Sequence, residues 1–403
     1  MVFDGAGNRR RIELLRRHGV EVWGPDRVYV SDDIGLDAIQ PGAVIRHANL
    51  SGASLSIARG AVIGTTGHAE VQDCQVGRNV ELGAGLYHGA TFLEGAKVRG
   101  FAEIRPHTLL EEQAEAAHNV ALKNTTFTCC CVAGSLINFC DLFLSGGTSR
   151  QDHTEIGSSA VHYNFDPRGD KWGSLIGGIR GALLRSDPVF VGGSCGLVGP
   201  VEIGLGSVIA AGSVVRKDVG ENELVAASSR EIRKKGFDRT AYGPLRRQFL
   251  LTAKLVGTLR ALDAWYASVR LPHARDDERS LFQAGRKRID AQIRERIRRL
   301  ERIVGKLACW RADDRSGPAR WPLLPGHVVL IERWDTLKLV LESRPDPGPP
   351  PPGFLAAYGG ARSAGEGHVD AVRSAAREAP EAERWLEGAA GQVTRRARSA
   401  LSG

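Results

Sequence analysis

Aliphatic residues recur at every sixth position at Val191, Leu197, Ile203, Ile209 and Val215. An earlier run, Val98, Ile104, Leu110, Ala116 and Leu122, keeps the same spacing, and shorter pieces appear at Ile57/Ile63 and Val76/Leu82. A period of six is neither the ~3.6 of a helix nor the ~2 of an alternating strand. Short strands separated by turns satisfy it, with each hexad sending one aliphatic inward. Three hexads close a triangular coil of ~18 residues, and stacked coils bury a continuous aliphatic column, as in a parallel β-helix built from hexapeptide repeats. Gly192, Gly204, Gly206 and Gly212, with the small Ala210, Ala211 and Ser213, fall between the aliphatics. Corners of such coils demand positive φ or close approach, which small residues allow. Of the 49 glycines in the 403 residues, 33 lie in residues 1–220. The expected fold is therefore mainly β, a β-helix over 26–230 after an N-terminal helical segment, 1–25.

The repeat is interrupted over about 128–188, which reads as an inserted loop at a binding face. Arg150, Asp152, His153, Glu155, His162, Asn164, Asp166, Arg168 and Lys171 concentrate there. Beyond 231 the pattern turns helical. Leu251, Leu255, Leu259, Leu262, Tyr266 and Val269 are spaced by three or four, as are Ile289, Ile293, Ile297, Leu300, Val304 and Leu307. Leu271-Pro272 separates the two runs, and a third candidate helix covers His327–Glu342. A helical domain over 231–343 is expected. A proline-rich linker and tail, 344–403, is expected to be disordered or to hold one weak helix, with no chemistry assigned.

The formal net charge is +8, much of it between Arg286 and Arg302. Such a run permits nucleic-acid or membrane contact through 286–307. Helix packing is favoured instead, because no aromatic anchor precedes Trp310. No apolar run approaches the ~20 residues of a membrane span. Seven cysteines, an odd number without zinc-ligand spacing, lead to no expectation of a metal and suit a reducing compartment. Met1–Arg17 lacks the apolar core of a signal peptide. A cytoplasmic protein is expected.

Two motifs, Phe101-Ala-Glu-Ile-Arg105-Pro106 and Asn119-Val-Ala-Leu-Lys123-Asn124, resemble the acetyltransferase half of the bacterial bifunctional N-acetylglucosamine-1-phosphate uridylyltransferase. The resemblance resumes at Tyr163-Asn164-Phe165-Asp166 and Lys171, and runs on through Leu197–Gly204 and Ile209–Val219. It implies a left-handed β-helix, a homotrimer, acetyl-CoA (or another acyl-CoA) as co-substrate, and a sugar phosphate or nucleotide sugar bound between subunits. Arg105 and Lys123 match the basic pair that grips the sugar phosphate, and a guanidinium beside an ammonium suits that task. Lys171 is carried over with the substrate-binding residues, and Asn164 matches a residue near the transferred acetyl group. Phe165 stands where the family has tyrosine, while Ala210 and Ala211 match small residues beside CoA. Arg230 lies near an arginine that meets CoA phosphate. The uridylyltransferase half has no counterpart, since only about 30 residues precede the first repeat, so nucleotidyl transfer is not expected.

One departure bears on the chemistry. Ungapped from Lys123, Ser135 falls on the family's catalytic histidine and Asn138 on its nearby substrate tyrosine. A protonated amine cannot attack a thioester until a base deprotonates it, and an unassisted serine is no such base. His153 or His162 is the expected replacement. His153 is preferred, because Asp152 and Glu155 lie close enough in sequence to orient its ring. The alternative to an acyltransferase is a binding or assembly protein on the same scaffold that has lost its base.

Overall fold

The computed structural model describes residues 5–227, 241–312 and 323–402, with residues 231, 233, 235, 237 and 238 between them. Helix α1 (Gly5–Arg17) buries Ile12 and Leu15 at the entrance to the core. Three parallel sheets of 11, 10 and 8 strands follow, wound as a left-handed β-helix. The chain visits the first, second and third sheet in turn, and each visit adds a rung. All ten aliphatics of the two long hexad runs are buried. Burying each valine, leucine or isoleucine among them contributes roughly 1.5–3 kcal/mol, and the ladder form lets every coil cover the next.

The corner between the first and second sheets stacks Phe101, Asn119, Leu136 and Ser159, all with positive φ. Non-glycine residues thus hold a conformation that costs roughly 1–2 kcal/mol apiece, offset by backbone hydrogen bonds to the preceding coil. Glycine is required where coils crowd: a Cβ on Gly157 would lie 2.5 Å from the Gly193 nitrogen.

The stretch 128–188 is not one inserted loop. Strands at Val132–Ala133, Asn138–Cys140, Leu142–Leu144, Glu155–Ile156, Val161–Tyr163 and Ser174–Ile176 continue the three sheets. Three shorter loops, 145–154, 164–173 and 177–189, leave at corners. Their lengths shift the hexad phase, and Phe139 and His162 take inward positions that the pattern reserves for aliphatics.

The helical half begins with α2 (Arg246–Trp265), followed after a π-helical turn by α3 (Asp276–Ala312), α4 (Pro325–Glu332) and α5 (Trp334–Glu342). The tail, expected to be disordered or to hold one weak helix, instead forms three: α6 (Pro352–Ser363), α7 (His368–Ser374) and α8 (Ala379–Ser402) complete the unit. Helix α8 buries Ala382, Leu386, Ala389, Val393 and Ala397, and it approaches α2 so closely that a Cβ on Gly257 would lie 2.3 Å from the Ala390 carbonyl oxygen. Alanine and glycine make such an approach possible, and the same residues give the sequence its low-complexity look.

Helix α3 lies along the outside of the third sheet. Its basic run faces the protein more than the solvent. Arg288 binds Thr91, Gln75 and the Asp73 carbonyl, while Arg296 and Arg299 both bind Asp141. Arg286, Arg294 and Arg298 pair with Asp263, Asp290 and Glu295. Among the described residues no helix is long and apolar enough to cross a membrane.

Candidate functional site

Side chains of the second sheet alternate between the core and its outer face. Ile104, Leu122, Phe139 and His162 point inward, on successive rungs joined by parallel pairing. Arg105, Lys123, Cys140 and Tyr163 follow them and line one edge of the outer face. The Arg105 amide donates to the Leu122 carbonyl at 2.9 Å, which sets Arg105 beside Lys123. The guanidinium crosses that rung to donate to Cys140 Sγ at 3.3 Å. Burial raises the Cys140 thiol despite Arg105, so it remains neutral. His88 follows the paired Tyr87 and Ile104. It therefore extends the same ladder one rung before Arg105, a neighbour that no sequence spacing announces. A groove of about 490 Å³ runs along this face and is lined by Tyr29, Asn49, Glu70, His88, Glu103 and Arg105 among others.

The opposite edge of the second sheet is its corner with the first. Ser135 sits there half-buried, and Asn138 lies exposed just beyond it. The Ser135 carbonyl accepts from the Ser159 amide at 2.8 Å. Ala210 and Ala211 occupy the same corner further along, against Gly192 and Gly193. Between Ser135 and Ala211 the corner carries only small residues apart from Leu136. His118 occupies the equivalent place one coil before Ser135, because its carbonyl accepts from the Leu136 amide at 2.9 Å. His118 is exposed.

The two histidines expected to supply the base lie elsewhere. The His162 ring is inside the coil, with Nδ1 2.7 Å from the Cys140 carbonyl and Nε2 2.8 Å from Ser174 Oγ. Burial lowers its pKa to about 4, so the ring is a neutral core group without a free nitrogen. His153 lies at the corner between the third and first sheets, away from Arg105 and Lys123. Its Nδ1 is 2.8 Å from the Arg150 carbonyl and its Nε2 is 3.8 Å from Glu155. Asp152 does not orient it, and accepts instead from Thr148 Oγ1 at 2.8 Å.

Asn164 is also committed to structure. Its amide donates to Asp141 Oδ2 at 2.5 Å, and Asn124 donates to Oδ1 at 3.0 Å. Burial opposes ionisation of Asp141, but Arg296 and Arg299 outweigh it and hold the carboxyl well below its ordinary range. Phe165 and Lys171 are exposed and bridge the base of the loop 164–173. Arg230 lies outside the described residues. A larger cavity of about 600 Å³ lies between the third sheet, α2 and α8. Its Arg180 and Lys254 are matched by Glu221, Glu387 and Glu202, so those two are not left to bind an anion.

No family model matches the chain. Proteins named bifunctional protein GlmU do. The one from Nitratidesulfovibrio vulgaris is 31% identical over 214 residues, 53% of this chain and 42% of its own length. The one from Trichlorobacter lovleyi is 30% identical over 234 residues, 57% of this chain and 46% of its own. The chain resembles the acetyltransferase half of GlmU. It spans less than half the length of these relatives. A solved structure titled as the polySia-specific acetyltransferase NeuO is 16% identical, covers 59% of this chain and 99% of its own, and superposes with a TM-score of 0.24.

Proposed function

We propose that the protein transfers an acyl group from acyl-CoA to the amine of a phosphorylated sugar or nucleotide sugar, on the outer face of the second sheet. The observation that carries this reading is the arrangement of that face. Two cations on adjacent rungs line one edge, and a histidine beside a run of small residues lines the other. Arg105 and Lys123 hold the phosphate, since a guanidinium and an ammonium together neutralise its charge. The small corner from Gly192 to Ala211 admits the pantetheine arm.

The acceptor ammonium gives one proton to solvent by way of His118, and the freed amine nitrogen attacks the thioester carbonyl carbon. The C–N bond forms as the C–S bond breaks, His118 takes the second proton from that nitrogen, and the imidazolium returns it to the leaving CoA thiolate. Histidine suits this exchange because it titrates near neutral pH. Subunits assemble as a trimer through the open faces of the first and second sheets. The exposed Phe190, Val208 and Leu224, on consecutive rungs of the first sheet, support that arrangement. Seven free thiols suit the cytoplasm.

The test is release of CoA thiol from acetyl-CoA by the purified chain with a panel of amino-sugar phosphates and nucleotide sugars. Turnover that persists in Arg105→Ala with unchanged KM would sink the assignment. Ser135 in place of a histidine favours a second reading, in which the same face binds a nucleotide sugar without turnover. Calorimetric binding abolished by Arg105→Ala, with no CoA released, would establish that alternative.

A further inference from the structure

Where the third sheet turns into the first, Glu112 and Cys129 occupy the same place in consecutive coils, since the Cys130 amide donates to the Glu112 carbonyl at 2.9 Å. Helix α7 sets His368 against them. All three side chains are buried, and one ligand atom from each lies within 4.8 Å of the others. Cys129 Sγ is 3.4 Å from Glu112 Oε2. A tetrahedral zinc with Zn–S of ~2.3 Å and Zn–O of ~2.1 Å would hold such a pair ~3.6 Å apart.

Two observations independent of that spacing point to a cation. The first is an orphaned atom. His368 Nδ1 is 2.8 Å from the Tyr358 hydroxyl, while the buried Nε2 has no partner. Zinc-bound histidines have this form: one nitrogen is fixed by an outer hydrogen bond and the other is left for the metal. The second is charge. Glu111 and Glu112 are both buried and share one guanidinium, Arg270. An uncompensated buried charge is costly. A divalent cation bound by the Cys129 thiolate adds a net +1 and brings the cluster to neutrality.

We propose that Glu112, Cys129 and His368 bind one zinc ion, which fastens the C-terminal helices to the β-helix. Cysteine, histidine and carboxylate together form a zinc donor set. The sequence conceals it, because the ligands stand at 112, 129 and 368 and fit no short zinc spacing. One of them lies in the segment to which no chemistry was assigned.

The test uses tag-free full-length chain, stripped with chelator and titrated with zinc, then with cobalt as a spectroscopic substitute. One equivalent is expected to bind. Zinc is expected to raise the Tm by several degrees, and cobalt to give a thiolate-to-metal charge-transfer band. Cys129→Ser should abolish that band, and His368→Gln should weaken zinc binding at least tenfold. Should either variant fail to fold, the cobalt titration of the stripped wild-type chain decides alone. Absence of the thiolate band, or one equivalent of zinc bound with unchanged affinity by both variants, overturns the proposal.

Discussion

His118 and Ser135 occupy one corner position in consecutive coils, each accepting a backbone hydrogen bond from the residue that opens the next coil's corner. The His118 backbone therefore stands about 4.8 Å along the axis from that of Ser135, the position that the resemblance matches to a catalytic histidine. His118→Ala is expected to lower kcat by at least about a hundredfold with little change in KM, as for loss of a general base. His153→Ala should leave the rate within a few-fold of wild type. The reverse ranking in steady-state assays would return the base to His153.

On the proposed function, Arg105 and Lys123 would act on binding more than on the chemical step. Either alanine substitution is expected to raise the KM for the phosphorylated acceptor roughly tenfold or more, the scale of a charge-assisted hydrogen bond. The KM for acyl-CoA should change little. Arg105→Lys should recover only part of the loss, because an ammonium lacks the bidentate fork.

His162 makes stability depend on pH. Its folded-state pKa of about 4 lies below the ordinary 6.5, so the unfolded chain binds more protons between those values. Stability is fully present above pH 6.5 and falls as the pH drops towards 4, by about 3 kcal/mol from this group. His162→Gln removes that slope from the denaturant midpoint measured across pH 4–7. It should also leave acyl transfer largely intact, because the ring lies inside the coil.

Asp141 joins α3 to the β-helix. Asp141→Asn leaves two largely buried guanidiniums without their carboxylate and is expected to cost about 3–5 kcal/mol. Urea unfolding reads the loss. A change below 1 kcal/mol would show that Arg296 and Arg299 find other partners.

The hexads from Val98 to Leu122 and from Val191 to Val215 were enough to establish the β-helix, because a column that buries one aliphatic per strand leaves a strict period. The coils between Thr128 and Pro188 were hidden for the converse reason. Loops of unequal length break the period without breaking the ladder. The helices of the tail leave little mark in the sequence because Ala382, Ala389 and Ala397 bury little surface each, and only α2 beside them makes a core.

Sequence pattern pairs Arg105 with Lys123 only through the resemblance, and the parallel ladder sets them on one edge of one sheet, since residues one coil apart share a face. It did not distinguish His162 from His118. Histidine reads the same in sequence whether its ring points into the coil or out from a corner, and that direction depends on the parity of its position along the strand. The contact of His368 with Glu112 and Cys129 lies further still from sequence reasoning. It joins segments about 240 residues apart, and only packing of the helices against the coil corner brings them together.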